Sequence, residues 1–211
     1  MNVPANDPIK EKILVESQKL LWKYGVRTIT MDDIARRLGI SKKTIYQHFV
    51  DKEDIVYQVI SHHLGNEMCE VDKLMEVAAN PVEEMLLVSE MMRRHADAVN
   101  PSLLVDVQRY YPKAWAVFLE HKENRILKDI TDSLKRGVEQ NFYRTDIDLE
   151  TMARLRVELI QLGFDDRVFP HTKDMMALQD QLLHHFVRGI LTDAGFVAYN
   201  HSVEKLKKSA I

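Results

Sequence analysis

Apolar side chains recur along this chain at three- and four-residue steps, the spacing of helices that bury one face. Ile9, Ile13, Leu20, Leu21 and Tyr24 form one such stripe after Pro8, and Gly25 closes it, as glycine just past a helix end commonly does. A second, much shorter helix is predicted over residues 31–38. Thr30 is its N-cap, Asp32 and Asp33 sit in its positive first turn, and Ile34, Ala35 and Leu38 face inward. Gly39 and Ile40 turn the chain, and Ser41 caps a third helix over about residues 42–48, anchored by Ile45 and Phe49. "VDKEDI" opens a long fourth helix that stops at Asn80-Pro81.

Beyond it the same period predicts helices over about residues 81–99, 101–110, 113–140, 149–163 and 173–193. Trp115, Leu119, Ile126, Ile130, Leu134 and Val138 read as one stripe of the longest of these. "VAYNHSVEKLKKSAI" is expected to form at most a frayed turn or two. No segment alternates as a strand would, and there is no low-complexity tract or repeat. The reading is an all-α chain of about nine helices. Residues 7–60 form a three-helix unit around a helix-turn-helix, and residues 61–211 form a larger helical domain.

The two short helices raise a question of charge. The chain carries 29 Lys and Arg against 32 Asp and Glu, a formal net charge of −3. Residues 1–60 hold ten basic and eight acidic side chains, a balance of +2, and the remainder holds 19 and 24, a balance of −5. Any nucleic-acid site must therefore arise from local placement. The single cysteine, Cys69, rules out an internal disulfide framework and fits a reducing compartment. The start of the chain has no secretory pattern. The longest run without Asp, Glu, Lys or Arg is the 12 residues from Ile55 to Asn66, against roughly 20 apolar residues for a membrane span. A cytoplasmic protein without membrane association is expected.

Helices of about eight residues do not hold in water by themselves. Packing against the first and fourth helices must support them, and the second short helix then projects a polar face outward. That is the logic of a helix-turn-helix, whose second element enters the DNA major groove. Ala35 is small where the helices cross, and Ile45 locks the outer helix to its support. The exposed face carries Lys42, Lys43, Thr44, Gln47 and His48, donors suited to phosphates and base edges. Helix starts at Thr30 and Ser41 offer backbone amides to phosphate oxygens. An ordinary hairpin with solvated lysines would share the basic residues. It would not require the Thr cap, Ala, Gly turn, Ser cap, "TIYQHF" and "DKED" to fall in register.

The segment "TITMDDIARRLGISKKTIYQHFVDKEDIV", preceded by "KEKILVESQKLLWKYG", resembles the DNA-binding domain of the TetR family of bacterial transcriptional regulators. The resemblance is strong over residues 7–60 and weak beyond, where "FYRTDID" and "FVRGILTDAG" carry it. It implies that Thr30 caps a helix and touches phosphate. It further implies that Ser41, Lys42, Lys43 and Thr44 face the groove, that Tyr46 and His48 meet backbone phosphate, and that Lys52 binds phosphate from the fourth helix. Gln47 is the first choice for a base contact, because glutamine can pair bidentately with adenine. The implied activity is transcriptional regulation, mostly repression, with double-stranded operator DNA as partner and no catalytic cofactor.

The helices near 149–163 and 173–193 are apolar on more than one face, which points to an isologous homodimer built on them and a palindromic operator. Gly189, in mid-helix, suits the close approach of another helix. A core helix of a monomer would also be broadly apolar. The family picture adds a small-molecule effector in the larger domain. Candidate contacts are Met68, Met85, Met92, Tyr110, Trp115, Phe118, His121 and Arg156, residues that also serve as plain core. Arg156 shares an apolar face with Met152, Leu159 and Ile160, so it needs a carboxylate or a ligand anion.

Competing chemistry finds little support. His62-His63 and His184-His185 are adjacent on helices and point about 100° apart, which makes neither pair a natural bidentate metal site. There is no HExxH, GxSxG, CxxC, Glu-x-x-His or phosphate-binding glycine loop. An enzyme is not expected. A nucleoid-associated DNA binder on the same fold and, more remotely, a metal-binding helical protein are the alternatives.

Overall fold

The computed structural model describes residues 7–96, 100, 102–163, 167–169 and 175–209. Among them the chain forms eleven α-helical segments and one π turn. It divides into two compact units, Met1–Glu67 with Ala98–Glu120, and Met68–Asp97 with His121–Ile211.

The first unit opens with α1 (Pro8–Tyr24), whose start is capped by Asp7; its carboxylate accepts from the amides of Ile9 and Lys10. Helices α2 (Met31–Leu38) and α3 (Lys42–Tyr46) follow, then the beginning of α4 (Lys52–Val77). Asp51 caps α4, accepting from the Asp54 amide at 2.8 Å. Helices α6 (Leu103–Tyr110) and α7 (Pro112–His121) complete this unit. Its core is one cluster in which Ile13, Leu21, Ile34, Ile45, Phe49, Ile55, Val56 and Val59 are buried, joined by Leu103, Val107 and Ala114. Both short helices lie against this cluster, so packing stabilises them where their own hydrogen bonds cannot.

The second unit contains α5 (Pro81–Ala96), a π turn (Lys122–Ile126), α8 (Leu127–Glu139), α9 (Leu149–Leu162), α10 (Met175–Ile190) and α11 (Asp193–Ser209). Val82, Leu86, Leu134, Tyr143, Ala153, Phe186, Val187 and Ile190 are among its buried core. The Tyr143 hydroxyl donates to the Pro81 carbonyl at 3.0 Å. Its ring fills the space over Gly137, where an added Cβ would lie 2.0 Å from a ring carbon.

Three expectations change. The helix read over 113–140 is interrupted by the π turn, so its stripe is not one continuous face. Leu119, before the turn, is exposed, whereas Leu134, after it, is fully buried. The helix read over 173–193 ends at Ile190; its expected start at Lys173 lies outside the described residues, as do Pro101 and Val99 at the expected bounds of two earlier helices. The tail expected to fray is instead the 17-residue α11. Thr192 makes the elbow. Its amide donates to the Phe142 carbonyl at 3.0 Å, its hydroxyl donates to the Asn141 carbonyl at 2.6 Å, and that hydroxyl accepts from the Gly195 amide at 3.0 Å, capping α11.

Candidate nucleic-acid interface

Helix α2 is set by a reciprocal cap. Thr30 Oγ1 accepts from the Asp33 amide at 3.2 Å, and the Asp33 carboxylate accepts from the Thr30 amide at 2.9 Å and its hydroxyl at 2.6 Å. Those bonds, the hydroxyl's first, hold the Asp33 carboxyl below its usual range. Met31, Ile34 and Ala35 are buried. Gly39 takes φ 66°, the left-handed conformation that ends α2, and the Ile40 amide donates to the Ala35 carbonyl at 3.1 Å. Ser41 Oγ accepts from the Thr44 amide at 3.1 Å and shares a 2.9 Å hydrogen bond with the Thr44 hydroxyl. Ile45, with no exposed surface, fixes the inner side of α3.

On the outer side Ser41, Lys42, Lys43, Tyr46 and Gln47 are exposed and Thr44 is half-buried. Lys42 Nζ lies 2.7 Å from Asp32 Oδ2, and that hydrogen bond raises the lysine's pKa. Lys43 and Gln47 have no side-chain partner among the described residues. Arg36 and Arg37 on α2 lie 3.4 Å from Asp33 and 3.1 Å from Glu16. The arrangement presents a short polar row on a rigid support. Its lysines can meet phosphate, and Gln47 can reach a base edge.

Two sequence candidates are placed differently from the row. His48 is half-buried, with Nδ1 2.9 Å from Asp7 Oδ2. Asp7 is lowered in pKa chiefly by the Lys10 amide, with the Ile9 amide and His48 adding to it. Lys52 is half-buried; its ammonium donates to the Val26 carbonyl and lies 5.9 Å from the Tyr111 ring centre. Burial pushes its pKa down. Sequence reasoning missed both partners: Asp7 and Val26 lie 41 and 26 residues away, and no local pattern announces them.

The effector candidates are divided between the two units. Tyr110, Trp115 and Phe118 belong to the first unit, where Arg27 covers the Tyr110 ring at 4.8 Å and Trp115 stacks on Phe118 at 5.0 Å. Met68, Met85, Met92, His121 and Arg156 belong to the second. His121 is half-buried, and burial with Arg125 nearby lowers its pKa. Met85 is buried in the core. Arg156 is buried and donates to the Ser89 hydroxyl at 3.1 Å. A separate cleft of about 330 Å³ is lined by Met75, Asn80, Glu84, Arg136 and Gln140, none of them among the candidates. Among the described residues no group of three or more His, Cys, Asp or Glu is placed to hold a metal ion, and no helix is long and apolar enough to cross a membrane.

The fold and this polar row define an all-helical protein with a helix-turn-helix, a class that reads duplex DNA. Comparison with known proteins makes the class specific. Residues 13–59 match the model of the bacterial regulatory proteins of the tetR family. The chain is 26% identical over 146 residues to the HTH-type transcriptional repressor KstR2 of Mycobacterium tuberculosis, covering 68% of this chain and 73% of that one. Among solved structures, a transcriptional regulator from Saccharomonospora viridis in complex with choline is similar at a TM-score of 0.76 with 20% identity, covering 89% of this chain and 100% of that one. A TetR-family regulator from Agrobacterium tumefaciens is similar at 0.72 with 18% identity, covering 87% and 97%. Residues 13–59 belong to the tetR family of bacterial regulatory proteins, and the chain is a DNA-binding regulator that shares the fold of the solved regulators above.

Proposed function

We propose that this protein is a cytoplasmic, ligand-responsive repressor that binds a palindromic operator as a homodimer. Residues 7–60 read DNA, and residues 61–211 dimerise and receive the effector. One observation carries the reading: Lys42, Lys43, Tyr46 and Gln47 stand exposed on a helix whose opposite side is pinned by Ile45. Gln47 reads a base, and Ser41, Lys42, Lys43, Thr44 and Tyr46 meet the groove and its phosphates. Thr30, His48 and Lys52 contact backbone phosphate, the last two by exchanging a present protein partner for it. The similarity to a relative named as a repressor supports repression over activation.

Dimerisation uses the helices near 149–163 and 173–193. Leu155 on α9 is 44% exposed, and nothing within 4 Å meets a Cβ built at Gly189. Packing among the described residues therefore does not explain the glycine, and a partner helix in close contact would. The test is selection of bound sequences from random duplexes. The expected site is a palindrome whose affinity falls steeply with salt. Gln47→Ala changes preference at one position per half-site, and Lys52→Ala weakens all sequences alike. Sedimentation at micromolar concentration gives a dimer. Absence of duplex binding at low salt would end the regulator reading, and a monomer would end the palindrome.

A further inference from the structure

Helix α9 buries a guanidinium that has no carboxylate partner among the described residues. Arg156 is 5% exposed. Its Nη2 donates to Ser89 Oγ on α5 at 3.1 Å, and its Nη1 is buried with no acceptor among the described residues. Burial alone pushes its pKa down to about 10, with no neighbouring charge among the causes. Three other cations of this unit are matched by carboxylates: Lys122 lies 2.7 Å from Glu158, Arg125 2.5 Å from Asp129, and Arg136 2.6 Å from Glu84. A buried charge with one neutral partner is unfavourable unless an opposite charge completes it. Apolar side chains stand one turn from both groups. Met85 and Met92 lie one turn either side of Ser89 on α5, and Met152, Leu159 and Ile160 lie one turn from Arg156 on α9. Methionine side chains rearrange readily around a guest.

We propose that α5 and α9 receive the effector and that it is an apolar organic acid, its carboxylate taken by the free Nη1 edge of Arg156 and its hydrocarbon by the methionines. This rests on the reading of the second unit as the effector-receiving one, and it adds the chemical class. A planar carboxylate matches the guanidinium fork. A cationic ligand such as the choline bound by the S. viridis regulator would be repelled by the same group.

The test is thermal unfolding of the full chain with butyrate, octanoate and laurate, each beside its methyl ester, and with octyl phosphate. At least one carboxylate should raise Tm by about 5–10 °C when present at about 100 times its Kd, and its ester should not. Arg156→Met, which replaces a buried charge with an apolar chain of similar length, should melt no lower than the wild type without ligand and should lose the difference between acid and ester. Arg156→Lys, which keeps the charge and loses the fork, should retain part of it. The proposal is overturned if no carboxylate separates from its ester in the wild type, or if Arg156→Met keeps the separation. A larger shift with octyl phosphate than with any carboxylate overturns the head group assigned. Duplex binding by the wild type, measured on the same preparation, keeps the two readings apart: its loss sinks the regulator reading, whereas intact binding without a carboxylate response sinks only the Arg156 site.

Discussion

Replacing Asp32 by Asn should strengthen DNA binding, and the gain should pass through Lys42. Lys42 Nζ is 2.7 Å from Asp32 Oδ2, with the two side chains 46% and 60% exposed. An ion pair so open to water is weak, yet it still competes with a DNA phosphate for the same ammonium. Lys43, one residue on, has no such competitor among the described residues. Each phosphate neutralised contributes about 0.9 to the slope of log affinity against log salt, or about 3.5-fold in affinity between about 50 and about 200 mM salt. Lys43→Ala should therefore flatten the slope by about 0.9, and Lys42→Ala by less, because its charge is partly matched already. Asp32→Asn should steepen the slope beyond the wild type. The cap of α2 survives this change, since Thr30 and Asp33 make it. The assay is fluorescence anisotropy of a labelled duplex across that salt range, repeated for Asp32→Asn combined with Lys42→Ala. If Asp32→Asn produced the same gain with and without Lys42, the carboxylate would act only as a distant negative charge and the reasoning would be wrong.

Two further outcomes follow from burial. Ile45→Ala removes a fully buried anchor and should destabilise the first unit by about 2–5 kcal/mol. Urea unfolding followed by tryptophan fluorescence checks it, because Trp22 and Trp115 both pack on that unit's core; a loss below about 1 kcal/mol would mean that α3 is not held by this contact. His184 shares a 2.7 Å hydrogen bond with the Tyr199 hydroxyl, and burial chiefly, with Arg188 and Lys207, lowers its pKa from 6.5. The unfolded chain then takes up the proton first. The contribution to stability is full above about pH 6.5 and declines as the pH falls toward the folded value. His184→Gln should make the acid limb of the stability–pH curve shallower, and an unchanged limb would show that this group does not titrate across unfolding.

Much of the fold was readable because its signals are local. Thr30 with Asp33, Gly39 and Ser41 set α2 at the residues expected of it, since a cap and its target lie three residues apart. The π turn was not readable. Trp115 and Leu119 fit the same period as Leu134 and Val138, and only packing shows that Trp115 joins the first core while Leu134 joins the second. The elbow at Thr192 was hidden for a related reason. Ile190 and Leu191 continue the apolar run, and the bonds that break the helix come from Asn141 and Phe142, about fifty residues earlier. In α11, Val197 is exposed while Tyr199 and Ser202 are buried, which blurs the stripe that would have announced it.

The candidate site divides along the same line. Which residues lie on the outer side of α3 follows from the position of Ile45, because a helix with one pinned side leaves the other out. The electrostatic state of that side does not follow from spacing. Lys42 and Lys43 are neighbours of the same type, yet one is matched by Asp32 across a turn and the other is not. His48 and Lys52 carry the right chemistry for phosphate, but each is held by a partner that sequence distance conceals. On the proposed reading a phosphate would displace Asp7 from His48 and Val26 from Lys52, while Lys43 and Gln47 would offer their donors without exchange. Contact energy on this surface should therefore be uneven: greatest per residue at Lys43 and Gln47, and reduced at Lys42, His48 and Lys52 by what each gives up.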